Sequence, residues 1–421
     1  MWAYIHYGFR QFLSRGDDRS SRRLLGAALS IGLSLLPLIA SIEVTDGMID
    51  GITRRYLEVG TYHMQAHRFG TVEEDQLSQA LDVLDNIDEV ELAFETRQGL
   101  GLAYSPEGRA GVIIRSIPDN MYTRDTGMHT YLTINSGQFD FAGGGAVLSA
   151  ELASIMDVGP GDQIKLLTPR TLREGRFVIR QSSFIVNGVF TSGYQELDAL
   201  MMYISEEQGR VLLQESGASY IGIKIRDPYV KLERTRRNIA GELPEKWYVY
   251  TWQELEEAMY KGFKTTRNLL MFVMVLIVIV AAVNVSSSVF MLAVERSGDI
   301  AILKSTGASS AGITASFVFI ALCVGLLGSL VGTILGLIVS VNINEIIRGV
   351  EWVINFFASP FGSEEIRILN PGFYLEKIPV DIRFREVFSV ALLAPALAVL
   401  SAYIPARRAG RLRPVEILNR R

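Results

Sequence analysis

Histidine and cysteine, the side chains that most often hold a transition metal or act as nucleophile and base, are sparse in this 421-residue chain. Its four histidines are His6, His63, His67 and His129. His63 and His67 have the i, i+4 spacing of two metal ligands on one helix face, but no third ligand stands nearby, so the expectation is no metal site. Gly143-Gly144-Gly145 could suggest a phosphate cradle. No Lys-Ser/Thr pair follows at the spacing that would grip phosphates, and G-x-x-x-x-G-K-[ST] occurs nowhere in the sequence. A glycine run of this kind reads as a turn. Nucleotide hydrolysis by the P-loop route is thereby excluded, and any energised work must draw on a partner. The single cysteine, Cys323, lies in an apolar run and rules out an intrachain disulfide. A net charge of -4 gives no basic footprint for nucleic acid.

What the sequence does supply is apolar length: 49% of its residues are hydrophobic. Residues 24–44, 269–294, 311–343 and 386–404 are four runs long enough to cross a bilayer as helices. Basic residues before the first run and Ala40-Ser41 near its end also fit a cleaved secretory signal. The later spans favour its retention as a first transmembrane helix. Residues 1–23 interleave aromatics with arginines, as an interfacial helix on lipid headgroups does. Glu43 is read as interfacial, with Thr45, Asp46 and Gly47 marking where the first helix passes into the membrane surface. Asn284 and Ser286–Ser288 are read as making helix–helix or backbone hydrogen bonds inside the second span. Gly325, Gly328, Gly332 and Gly336 line one face of the third span, where a neighbouring helix can approach closely. Pro395 is expected to bend the fourth.

Residues 45–264 hold no spanning run and have the pattern of an α+β domain. Val72–Leu84 reads as a helix capped by Thr71, and Val90–Leu92 and Leu100–Tyr104 read as strands. Gly143–Leu167 reads as strand, short helix, Gly-Pro-Gly turn and strand, and Phe177–Phe190 as a strand pair. Ser219–Arg226, Glu233–Leu243 and Trp247–Thr251 read as strand, helix, strand. The similarity of this last unit to the one at 72–104 suggests a split domain with a β-rich lobe inserted at about 105–215. The helix beginning at Trp252 runs without a breaker into the second span. Residues 344–385 read as a short polar loop. The 405–421 tail is basic, as is the opening segment. The positive-inside rule then puts both termini and the 295–309 hinge in the cytoplasm, and 45–264 and 344–385 in the periplasm of a bacterium.

The runs Val278–Ser288 and Ser297–Ala308, together with Tyr403–Ala409 and Pro414–Leu418, resemble the LolC/LolE family of permeases from lipoprotein-releasing ABC transporters. That family sits in a wider superfamily with macrolide-exporter (MacB) and FtsX proteins. The length of the 344–385 loop tilts the resemblance towards LolE. The resemblance implies four transmembrane helices and a large periplasmic domain of the MacB-like porter-plus-sabre type. It implies a coupling helix at 295–309, with Glu295, Gly298, Asp299, Ile300, Leu303, Lys304 and Gly307 serving a separate ATPase dimer (LolD-like) that binds the ATP and Mg. It implies a lipoprotein cavity at Thr45, Met48, Met271 and Met274. Pro169 and Arg170 match the start of a hook that recruits a LolA-like periplasmic carrier, though the segment is short for one. A second permease copy or paralogue would complete the complex in the inner membrane. Efflux of the MacB kind and FtsX-like relay to periplasmic hydrolases are the alternatives. The energetics agree: an acyl anchor is held by ~0.8 kcal/mol per buried methylene, so lifting it out needs outside energy.

Overall fold

The computed structural model describes residues 18–68, 74–171, 177–213, 218–358 and 378–412. The proposed interfacial segment before residue 18, the Thr71 cap and the tail beyond 412 lie outside the described residues. The described residues form two units, a helical one from 18–48, 263–358 and 378–412, and an α/β one centred on 49–262.

Among the described residues, the helical unit contains four helices long and apolar enough to cross a membrane. They are α1 (Asp18–Arg55), α10 (Glu257–Glu295), α12 (Ser310–Val341) and α14 (Phe384–Gly410). A short helix, α11 (Ser297–Ser305), joins α10 to α12, and α13 (Ile343–Ala358) follows α12. The numbers between belong to the α/β unit: α2 (Glu74–Asp85), α3 (Met121–Arg124), α4 (Thr126–Tyr131), α5 (Ala150–Met156), α6 (Gln195–Asp198), α7 (Glu206–Leu212), α8 (Leu232–Glu242) and α9 (Trp252–Leu255). The core of the membrane bundle is one cluster of small and branched side chains, among them Leu35, Ile39, Val285, Val289, Ile320, Val324, Ala398 and Ala402. In lipid such a bundle is held by close packing rather than by burial from water.

Among the described residues, ten strands make the sheet of the α/β unit: β1 (Met64–Arg68), β2 (Val90–Tyr104), β3 (Arg109–Ile117), β4 (Thr133–Gly137), β5 (Gly145–Ser149), β6 (Gln163–Thr171), β7 (Phe177–Thr191), β8 (Met201–Ser205), β9 (Ala218–Ile225) and β10 (Trp247–Thr251). They form one sheet in the order β10-β1-β9-β2-β3-β8-β5-β7-β4, with β6 pairing both β2 and β7. The β3–β8 and β5–β7 pairs are parallel and the others antiparallel. The strands of 105–215 therefore continue the sheet that holds β1, β9 and β10. Its apolar cores are separate: one lies under α2 and α8, and two others lie along the 105–215 strands.

Several segments differ from the sequence reading. Val90–Tyr104 is one strand because Gly99 and Gly101 are not breaks. A Cβ at Gly99 would stand 2.6 Å from Leu213, and one at Gly101 2.9 Å from Ile114 and 3.0 Å from the Leu167 carbonyl. These glycines make room for neighbours, which is the other use of glycine inside a strand. Phe177–Thr191 is likewise one strand, paired along β6 from Gln163↔Ile185 to Thr171↔Phe177. Residues 343–358, read as polar loop, form helix α13. His67 lies on strand β1 and His63 just before it, so the two do not share a helix face.

His67 stacks on Tyr220 with ring centroids 5.2 Å apart and meets the edge of Tyr250 at 5.7 Å. Burial lowers its pKa from the ordinary histidine value. The folded state thus favours neutral His67, and stability falls as pH drops below the unfolded value of ~6.5. His67→Gln should flatten that acid limb between pH 7 and 5, read as the change in melting temperature across the range. An unchanged slope would rule His67 out as its source.

Candidate functional site

The helix α11 begins where α10 ends, after a break at Arg296. Glu295, the last residue of α10, is ion-paired with Arg23 of α1. Asp299 pairs with Arg296 at 3.3 Å and is exposed. Lys304 Nζ donates to the Leu412 carbonyl at 2.8 Å, tying the hinge to the chain after α14. Leu303 is half-buried, and Gly298 has open space beside it. The helix closes in a Schellman turn: Gly307 takes φ +99°, Ala308 N–H reaches the Leu303 carbonyl at 2.9 Å, and Gly307 N–H the Lys304 carbonyl at 3.1 Å. Ile300 is 2% exposed and packs in the bundle core, so the placing of Ile300 at an outside contact is corrected. The apolar side chain that α11 does present is Ile302, 61% exposed.

Four of the five glycines of α12, Gly325, Gly328, Gly332 and Gly336, face two different helices. A Cβ on Gly328 would lie 2.5 Å from the Ala28 carbonyl, on Gly332 2.7 Å from that of Gly32, and on Gly336 2.9 Å from Ile39, all on α1. At Gly325 it would lie 2.9 Å from Pro395 of α14. The serines complete the packing. Ser286 Oγ donates to the Ser401 carbonyl (2.9 Å), Ser401 Oγ to Ala282 (2.8 Å), and Ser329 Oγ to Ala391 (2.6 Å). Asn284 Nδ2 donates to Ser30 Oγ at 3.3 Å.

At the opposite ends of these helices lies a charged layer that the sequence reading missed. Arg267 of α10 grips Asp46 of α1 with two bonds, Nε–Oδ1 at 2.6 Å and Nη2–Oδ2 at 2.9 Å, and reaches Glu386 of α14 at 2.6 Å. Arg383 stands 3.7 Å from Asp46 and 3.9 Å from Glu386, and its backbone N–H donates to Glu43 at 3.3 Å. Glu43 and Asp46 are only 1% and 4% exposed, so Glu43, expected at an open interfacial position, is instead buried between the helices. Three acids and two arginines thus join three spans at one level, with the bidentate geometry that makes arginine–carboxylate pairs strong. The legible signal was the sign pattern: acids at the ends of two apolar runs and an arginine just outside a third.

Thr45 and Met48 occupy the same end of α1, half-buried, and Met271 and Met274 lie one to two turns beyond Arg267 on α10. Met271 is exposed, while Met274 packs on the bundle core. Pro169 sits on β6 beyond the last β2 pair, opposite Ile179 of β7. Among the described residues the pairing of β6 with β2 ends at Leu167, two positions before the proline, as suits a residue with no N–H to give a ladder. The hairpin tip and the Arg170 side chain fall outside the described residues. A cleft of about 500 Å³ lies nearby, lined by Gly143, Gly144, Arg180, Phe184, Gln208 and Val211 among others. Gly143 and Gly144 take φ +67° and +79°, so the glycine run is a turn. Among the described residues no group of three or more His, Cys, Asp or Glu could hold a metal.

Residues 271–414 match the family model "FtsX-like permease C-terminal", so the stretch from the second span through the fourth is an FtsX-like permease domain. With the four apolar helices, the match makes this a multi-pass membrane protein that carries an FtsX-like permease domain. Its curated relatives carry more particular names. It is 26% identical over 278 residues to the lipoprotein-releasing system transmembrane protein LolE of Haemophilus influenzae, covering 66% of this chain and 64% of that one. It is 24% identical to LolC of Xylella fastidiosa over 402 residues, 94% of this chain and 93% of the relative. The relatives bear both names, so the tilt towards LolE has no support. Of solved structures, the extracellular domain of the noncanonic ABC-type transporter YknZ aligns over 45% of this chain and 99% of its own, at 14% identity and a TM-score of 0.28.

Proposed function

We propose that this chain is the permease of an ABC transporter that draws lipoproteins from the outer leaflet of the bacterial inner membrane and passes them to a periplasmic carrier. The observation that carries the reading is the likeness to LolC along 94% of the chain, through the spans and the domain between them alike. In this reading both termini and α11 are cytoplasmic and the sheet is periplasmic, in keeping with the arginine-rich ends. A separate ATPase dimer binds ATP and Mg and seats α11, with Asp299 and Ile302 facing it and Ile300 transmitting the push into the bundle. A second permease, copy or paralogue, faces the first. Thr45, Met48, Met271 and Met274, beside the charged layer, border the path of the acyl chains. The β6–β7 hairpin with Pro169 and Arg170 is the candidate carrier contact.

Depleting the protein in its host and fractionating the membranes tests the whole reading. Lipoproteins stranded in the inner membrane are the expected result, and unchanged sorting removes it. The coupling role has its own test. Ile302→Asp places a charge on an exposed side chain, so the melting temperature should hold while stimulation of the co-purified ATPase falls at least several-fold. Full stimulation by Ile302→Asp and Asp299→Lys would remove α11 from the coupling surface.

A further inference from the structure

We infer that helix α13 is a membrane-lying foot, its exposed apolar side seated in the headgroup and upper acyl region of the leaflet where α12 emerges. The inference rests on the four spans and not on the cargo. Only Asn342 separates α12, which ends at Val341, from α13, which begins at Ile343. The start of α13 is pinned. Asn344 Nδ2 donates to the Ile378 carbonyl and the Ile378 N–H donates back to Asn344 Oδ1, both at 3.0 Å. One residue on, the Pro379 carbonyl fills the space a side chain at Gly47 would need. Four further on is Arg383 of the charged layer. The helix therefore starts at the level where the spans exchange apolar surface for charge, which is the membrane boundary.

From that level it presents Ile346, Val350, Trp352, Val353, Phe356 and Phe357, each 41–69% exposed. Trp352 stacks on Phe356 with centroids 5.6 Å apart. Charged Glu345 and Arg348, paired at 3.0 Å, stand among them at the start of the helix, where headgroups supply water and counter-charge. Six large apolar side chains within 12 positions are too many to leave in water beside a bilayer, and tryptophan and phenylalanine at the interface are the usual composition of such a helix. The helix fixes the depth of the charged layer by holding the chain between the third and fourth spans against the leaflet.

The test uses the full chain in lipid vesicles with Trp352 as the one tryptophan, through Trp2→Phe, Trp247→Phe and Trp252→Phe. Lipids brominated near the glycerol end should cut its emission by at least half, while iodide in the medium quenches it weakly. Strong iodide quenching would put the helix in water. Protection from both quenchers would mean a protein surface covers it, and either outcome overturns the inference. Because Trp247 and Trp252 are core residues, a second measurement avoids them. Val353→Cys in a Cys323→Ser background, labelled with a polarity-sensitive dye, should shift to the blue when moved from a mild non-ionic detergent into vesicles of brominated lipid and be quenched there; an unquenched label counts against the foot.

Discussion

Lys224→Met should destabilise the α/β unit by about 3–5 kcal/mol, the cost of leaving buried carboxylates without their cation. Lys224 is 3% exposed, with Nζ 2.6 Å from Glu58 Oε2 and ion-paired with Asp125, itself 4% exposed. The two carboxylates have other duties that hold them in place. Asp125 accepts from Gly127 N–H at 2.9 Å and caps α4. Glu58 lies 3.1 Å from His63 Nε2, and Ile225 N–H donates to His63 Nδ1 at 2.8 Å, which leaves Nε2 to donate to Glu58. With Lys224 gone, Asp125 loses its cation, and half-buried Glu58 loses one of the two partners that, against its burial, hold its pKa down, His63 being the other, so its protonation comes more easily. The variant should therefore gain stability as pH falls from 7.5 to 5, the reverse of the His67 effect. Lys224→Met with Asp125→Asn should recover part of the loss. Denaturation of the purified chain in detergent at several pH values reads all three. A loss under about 1 kcal/mol would mean that water or another cation already reaches the acids.

A second buried cation explains why the end of α1 is irregular. After Arg55 the helix widens into a π-turn, Tyr56–Thr61, which leaves carbonyls in need of donors. Arg115 Nη1 reaches the Val59 carbonyl at 2.7 Å and the Tyr203 hydroxyl reaches it at 3.1 Å, while Arg115 Nη2 bonds Gln98 at 2.6 Å. The guanidinium also lies over the Tyr62 ring at 5.4 Å. The surrounding ring of tyrosines is pushed towards higher pKa by burial, with Tyr220 raised to about 12, so the phenols stay neutral donors at any physiological pH.

The four spans were legible because nothing else in the chain is apolar for so long, and the small-residue face of α12 because glycine at that spacing has few other uses in a long helix. The strands β5, β6, β9 and β10 showed through their alternation and turn residues. The charged layer did not, since its partners are 221 and 119 positions apart and pair only once three helices stand side by side. Lys224, Arg115, Glu58 and Asp125 were hidden for the same reason, their identities common and their burial a product of sheet register. Ile300 and Ile302 show the limit from the other side: composition marks α11 as amphipathic, but which isoleucine faces outward depends on where the break at Arg296 sets the helix. In α13, Glu345, Arg348 and Glu351 gave the segment a polar look that concealed a helix with its aromatics on one broad side.

The glycines give the sharpest test of the packing, because the same change should have opposite signs at two positions. At Gly298 of α11 a methyl meets nothing within 4 Å, and replacing a helical glycine by alanine there should stabilise by up to ~1 kcal/mol through propensity. At Gly332 the same methyl would face the Gly32 carbonyl at 2.7 Å, Leu35 Cβ at 2.8 Å and Gly32 Cα at 2.9 Å. Two of those three atoms are backbone, so no rotamer change can clear the space, and α12 must move away from α1. Gly332→Val should therefore cost about 3 kcal/mol, the upper end for overpacking, and more if the shift also unseats Gly328 one turn away. Melting in detergent for the wild type, Gly298→Ala, Gly332→Ala and Gly332→Val decides it. A graded loss at 332 beside a gain at 298 is the expected pattern, and tolerance of valine at 332 would show that α1 and α12 do not meet this closely in the membrane.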